Sequence, residues 1–207
     1  MFYRIMKRII GFILTLYHRI DIEGLDSLPT EGKLLVVGNH VSYLDPFYIG
    51  AILPRKIHFM ARAESFQNPI TRWALNQLEA FPVDRSKADV QAVRKAIQYL
   101  DQEKVVGLFP EGGIRDKESL EQIKQGAAFI ALRTNTPVIP VYIEGTIKAL
   151  GEGNWWIRPA KIQVRFGSMI EPKQYTGKKK EIQEKMSMDI LEELRNLRNQ
   201  IDQKQTG

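Results

Sequence analysis

Residues 33–46 read KLLVVGNHVSYLDP. The first six form a short, β-branched apolar run, the pattern of a strand buried on both faces. The next eight are polar and turn-forming up to Pro46, where a helix is free to start. The same alternation repeats outward from this stretch. Strands are expected at 33–38, 57–61, 78–83, 104–109, 137–143 and 161–166. Helices are expected at 46–53, 68–76, 87–101, 122–134 and about 180–203. Ser86 is placed to cap the helix from Lys87, with Asp89 at its third position. Strands spaced by helices predict an α/β fold, a mixed and largely parallel sheet covered by helices. A chain of 207 residues is of one-domain size.

In open sheets of this kind ligands bind beyond the carboxyl ends of strands. Two such junctions are polar and rich in turn residues: 39–46 (NHVSYLDP) and 110–115 (PEGGIR). The first holds His40 and Asp45. Histidine is suited to take a proton from an alcohol near neutral pH, and a carboxylate on its other ring nitrogen fixes the tautomer. On one regular helix, residues five apart diverge by about 140°. The two side chains therefore meet only if His40 lies in the loop and Asp45 at or just inside a helix start, which Pro46 favours. On these two residues alone Asp45 reads equally as a plain helix cap.

The N-terminal stretch places Phe2, Ile5, Ile9, Phe12, Ile13 and Leu16 on one helical stripe, with Arg4, Arg8, Gly11, Thr15 and His18 opposite. Its apolar run is far short of the roughly 20 residues needed to span a bilayer, and no cleavage-site pattern follows it. Residues 1–20 are expected to form an amphipathic helix at a membrane surface, ahead of one domain over residues 21–207. The net charge of +6 is compatible with an anionic surface or a phosphorylated substrate. There is no cysteine, which excludes disulfides and thiolate chemistry. Three scattered histidines lack metal-binding spacing, and no nucleic-acid motif is present. His58 is expected in the core or at its rim, and His18 at the interface. Trp155, Trp156 and Arg158 suit a lipid headgroup contact, and Lys178–Lys180 a solvated face.

Three further segments bear on the first junction: 81–85 (FPVDR), 109–112 (FPEG) and 138–142 (VIPVY). With 39–45 and in this order, they resemble the four sequence blocks of the glycerolipid acyltransferases, most closely the lysophosphatidate acyltransferase family. The resemblance runs from about Gly32 to Ile143. It implies that His40 is the catalytic base and Asp45 its orienting partner. It further implies that Phe109, Pro110, Glu111, Gly112 and Arg85 serve the acyl acceptor, and Val138–Pro140 the donor or the shape of the site. Gly112 and Gly113 read equally as a source of oxyanion-stabilising backbone N–H groups and as a plain turn. The family needs no metal or prosthetic group; its cosubstrate is acyl-CoA or acyl-ACP. One departure stands out. The family follows F-P-E-G with threonine and arginine, whereas here Gly113 and Ile114 intervene and Arg115 comes one position later.

The expected activity is acyl transfer to the sn-2 hydroxyl of lysophosphatidate, with membrane lipids as partners and without nucleic acid. The expected location is the cytoplasmic face of the cell membrane, peripheral or monotopic. Glycerol 3-phosphate, another lysophospholipid or a lyso-aminolipid stays open as acceptor, and a basic binding module without catalysis as the non-enzymatic alternative.

Overall fold

A computed structural model describes residue 11 and residues 16–77, 79–84, 89–110, 125–151 and 156–206. Seven strands form one sheet: β1 (Arg19–Glu23), β2 (Leu34–Gly38), β3 (Ile57–Arg62), β4 (Phe81–Val83), β5 (Val105–Leu108), β6 (Val138–Glu144) and β7 (Lys161–Phe166). The order across the sheet is β1-β7-β6-β2-β5-β3-β4. Five neighbouring strands from β6 to β4 run parallel. β7 is antiparallel to β6, and β1 pairs parallel with β7, so these two run against the rest. The mixed, largely parallel α/β sheet expected from the sequence is the one observed.

Described helices are α1 (Asp45–Ile52), α2 (Pro69–Gln77), α3 (Val90–Asp101), α4 (Gly126–Thr134), α5 (Thr146–Ala149) and α6 (Lys179–Thr206). The two sheet faces are covered unequally. Leu35, Val37, Val106, Leu108, Val138 and Tyr142 point to one face, against α3, α4 and α6. On α6, Met186, Ile190, Leu194, Leu197 and Ile201 form the buried stripe, at spacings of one helical turn. Leu34, Val36, Ile57, Val105, Ile139, Val141 and Ile143 point to the other face, where α1 supplies Tyr48 and Ile49. Strand β2 is buried along both faces, which is why its text is continuously apolar.

Pro140 lies inside β6, a central strand, where a missing donor is usually excluded. Its carbonyl accepts from Gly167 N–H at 2.8 Å, on the β7 side. A strand residue's N–H and C=O point the same way, so the lost donor falls just past the end of β7 and leaves the β2 ladder whole.

Three sequence expectations need correction. Arg19 and Ile20, assigned to the N-terminal helix, open β1 instead; helical backbone is described at Gly11, Leu16 and Tyr17, and the rest of 1–15 lies outside the described residues. β1 forms because buried Arg165 on β7 holds it. The guanidinium reaches Asp21 Oδ2 at 2.6 Å and Glu23 Oε2 at 3.3 Å, and holds the Asp21 carboxyl below the usual carboxylate range. The second correction concerns α3, whose cap is Asp89 and not Ser86. Asp89 accepts from Ala92 N–H at 3.0 Å and from Asp84 N–H at 2.8 Å, and these bonds lower its pKa. Third, His18 is buried rather than interfacial. Its Nδ1 accepts from the Tyr48 hydroxyl at 2.6 Å and its Nε2 donates to the Arg158 carbonyl at 2.9 Å.

Asp89→Ala is expected to cost about 1 kcal/mol of stability, about 2–4 °C in Tm for a domain of this size. Thermal unfolding followed by circular dichroism measures it.

Candidate active site

The site is built where β2 ends. Asn39 extends the β2–β6 ladder with its side chain: its Nδ2 donates to Ile143 O at 2.9 Å and its Oδ1 accepts from Ile143 N–H at 2.7 Å. The strand end is therefore fixed to β6 before the chain turns. Asp45 then opens α1, with Leu44 as the residue before the helix and Pro46 in its first turn. Asp45 sits just inside the helix, so it turns its carboxylate back into the preceding loop. Its Oδ2 accepts from His40 Nδ1 at 2.9 Å, from Val41 N–H at 2.8 Å and from Ser42 N–H at 2.8 Å. The carboxylate is fully buried, and converging donors of this kind offset the cost of burying charge.

A carboxylate oxygen in this arrangement accepts, so Nδ1 of His40 carries the proton and Nε2 presents a lone pair. Among the described residues Nε2 has no protein hydrogen-bond partner. The imidazole lies flat on the ring of Phe109, with centroids 4.3 Å apart and planes 16° from parallel. Both rings are at the edge of accessibility, His40 at 9% and Phe109 at 8%. The arrangement is an imidazole oriented by a buried carboxylate at the carboxyl end of parallel strands.

Ser42 is committed elsewhere. Its hydroxyl donates to Leu150 O at 2.6 Å and accepts from Leu44 N–H at 3.2 Å. A serine whose proton is held by a backbone carbonyl is a structural tie, not an activated nucleophile. His58 is a core residue, buried and stacked on Tyr99 with centroids 4.2 Å apart; burial lowers its pKa. Among the described residues no group of three or more His, Cys, Asp or Glu could hold a metal.

The structure thus joins His40 and Asp45. The other expected site residues, Arg85, Glu111, Gly112, Gly113 and Arg115, lie outside the described residues. The segments leading to them are described. Phe109 and Pro110 follow β5, which pairs with β2 at Val37 and Leu108, so Pro110 leaves the sheet beside the His40 turn. Asp84 follows β4 at the same carboxyl edge, beyond β3. Sequence reasoning gave Asn39 no role and did not anticipate the stacking of Phe109. The only signal for Asn39 was its place at the last turn of a buried strand.

The family model described as Acyltransferase matches residues 19–144, from the first residue of β1 to the last of β6. The chain belongs to the acyltransferase family. A 1-acyl-sn-glycerol-3-phosphate acyltransferase of Bacillus subtilis (strain 168) is 27% identical over 97% of this chain and 99% of its own length. Its counterpart in Streptococcus pneumoniae (strain ATCC BAA-255 / R6) is 27% identical over 83% of the chain and 63% of its own. The crystal structure of the acyltransferase PlsC from Thermotoga maritima shares the fold, with a TM-score of 0.75 at 24% identity over 95% of this chain and 79% of that one. The enzyme therefore carries His40 and Asp45 within the matched acyltransferase domain.

Ser42→Ala is expected to destabilise the enzyme by about 1–3 kcal/mol, because the Leu150 carbonyl loses its donor. Turnover per folded molecule should stay within about tenfold of wild type, whereas loss of a nucleophile would cost far more. Urea unfolding and active-fraction kinetics separate the two.

Proposed function

We propose that the enzyme transfers a fatty acyl chain from a thioester of coenzyme A or acyl carrier protein to the sn-2 hydroxyl of lysophosphatidate, giving phosphatidate. The observation that carries this reading is the hydrogen bond from His40 Nδ1 to buried Asp45, which leaves Nε2 as a base. In the proposed step Nε2 takes the acceptor's hydroxyl proton while that oxygen attacks the thioester carbonyl. The tetrahedral intermediate then collapses, and the imidazolium returns the proton to the departing thiolate. Asp45 keeps the Nδ1 proton throughout and stabilises the transient cation. No acyl-enzyme is required: the chain has no cysteine, and Ser42 holds a carbonyl.

Backbone N–H groups at Gly112 and Gly113 are proposed to receive the oxyanion. Arg85 and Arg115 are proposed to hold the acceptor phosphate through their planar forks, with Glu111 bonding acceptor hydroxyls or one of the arginines. The relatives named above support lysophosphatidate as acceptor. The displaced Arg115, after Gly113 and Ile114, supports testing glycerol 3-phosphate, other lysophospholipids and lyso-aminolipids beside it.

The enzyme is proposed to work peripherally on the cytoplasmic face of the membrane. No described helix is long and apolar enough to cross a bilayer. Leu16, Tyr17, Trp156 and Ile157 are exposed, and Tyr17 donates to the Ile157 carbonyl at 3.2 Å, joining the two segments into one rim. Arg19, Arg158 and Lys161 are exposed beside them, and no acid occurs in residues 16–20 or 156–166. Aromatic rings with flanking cations suit the headgroup layer of an anionic bilayer.

Thiol release from palmitoyl-coenzyme A in the presence of lysophosphatidate tests the reaction. His40→Ala should lower kcat by about 10²–10⁴, the usual yield of general-base catalysis, and Asp45→Asn by about 10² or more because the tautomer is lost. Wild-type turnover by His40→Ala would remove the mechanism. Separately, Trp156→Ala with Arg158→Glu should weaken cosedimentation with phosphatidylglycerol vesicles by about tenfold or more, with turnover on detergent-dispersed acceptor retained.

A further inference from the structure

A single hydrogen bond tolerates a range of angles. The bond from Nδ1 to Asp45 Oδ2 therefore leaves the tilt of the His40 ring, and with it the direction of Nε2, only loosely set. A second constraint is present in the fold. The ring of Phe109 lies 4.3 Å beneath the imidazole at 16°. Behind it Phe59 lies parallel to Phe109, at 3° and 5.7 Å between centroids. The three rings form one stack from the catalytic histidine into the core under α1.

Two glycines make room for that stack. A Cβ on Gly38, the last residue of β2, would sit 3.3 Å from Phe109 Cε1 and 3.3 Å from the Val141 carbonyl oxygen. A Cβ on Gly107, paired with Phe59 across β3 and β5, would sit 2.6 Å from the Phe59 ring and 2.8 Å from Ile57 Cδ1. Neither glycine has the positive φ that usually selects the residue, so each is used here for its missing side chain. Two strands have thus given up side chains so that the aromatic rings can lie flat.

We infer that Phe109 is a positioning residue for the acyl transfer: its face fixes the plane of the His40 imidazole and so aims Nε2 at the acceptor hydroxyl. This rests on the reading of His40 as base and adds to it a role for Phe109 distinct from acceptor binding. The flat floor also keeps water off one face of the imidazole, leaving the other to the substrate. A misplacement of about 1 Å at a reacting centre costs on the order of 10²-fold in rate, which sets the scale of the expected effect.

The test compares Phe109→Leu and Phe109→Tyr with His40→Ala, using full-length enzyme, palmitoyl-coenzyme A and lysophosphatidate, with thermal unfolding as the check on folding. Phe109→Leu should lower kcat by about 10- to 100-fold, with both KM values within about threefold. Phe109→Tyr, which restores a flat face, should recover kcat to within about threefold. If Phe109→Leu fails to fold, Phe109→Met, similar in bulk but without a ring, carries the same expectation. Wild-type kcat in the ringless variant overturns the inference. So does a loss confined to acceptor KM, which would make Phe109 a substrate contact, or a Tyr variant as slow as the Leu variant. Should His40→Ala turn over normally, the base itself is misassigned; should it be inactive while the ringless variant is normal, only the positioning role falls.

Discussion

Everything at the carboxyl end of β2 is wound around one oxygen atom. Asp45 Oδ2 gathers the His40 imidazole and two successive backbone N–H groups, at 2.8–2.9 Å each. Burying a carboxylate this completely is costly unless donors meet its charge; here the loop supplies three to Oδ2, while Oδ1 is buried with no hydrogen-bond partner among the described residues. The loop cannot relax into another conformation without stripping that charge of its partners. Tautomer, ring position and turn geometry are therefore a single property and not three. The surrounding ties are of the same kind. Asn39 fastens the start of the loop to β6 and Ser42 fastens its middle to Leu150, just past α5, so the turn is anchored at two separate points of the fold.

Among the described residues the two faces of the sheet are covered unequally. Three helices close the face that carries Val37 and Val106, whereas α1 serves the opposite face together with the short α5. Helix α1 is consequently asked to do several things along its length. Asp45 begins it, Tyr48 one turn later donates to His18, and Ala51 another turn on faces Gly11, whose added Cβ would lie 3.8 Å away. Burial, and then the charge of Asp45, push the Tyr48 phenol well above its ordinary pKa, so it stays a donor. His18 passes the connection to the Arg158 carbonyl. The rim proposed to meet lipid is thus two hydrogen bonds from the helix that carries Asp45.

The parts of this architecture that were legible in the sequence are those set by local pattern. Six strands were marked by apolar runs, and β7 matches its expected span of 161–166. The meeting of His40 with Asp45 is one of two readings of that stretch, beside a plain helix cap, and Pro46 favours the helix start that it needs. What escaped depended on distant partners. β1 (RIDIE) continues an apolar–charged alternation from the preceding helix, and its acids find their partners far away in sequence, Arg165 for Asp21 and Glu23 and Lys204 for Glu23. Ser86 matched the spacing of a cap, but Asp89 wins because its second oxygen also holds Asp84. The aromatic floor under His40 needs the register of β2 with β5 and of β5 with β3, which no single segment encodes.

Direct transfer, on the proposed reading, makes a demand that the sheet is suited to meet. Without a covalent intermediate, acceptor and thioester must be present together, and one histidine must serve both the attack and the departure. The base must then hold its direction while substrates of very different shape arrive. Loops alone are poor at this, since their backbone yields to whatever binds. Here the loop is short, its carboxylate is buried, and its imidazole lies against rings that descend into packed strands. On the proposed reading the rigidity of the core is thereby carried to the imidazole through ring contact, and among the described residues Nε2 keeps its lone pair for the proton it exchanges.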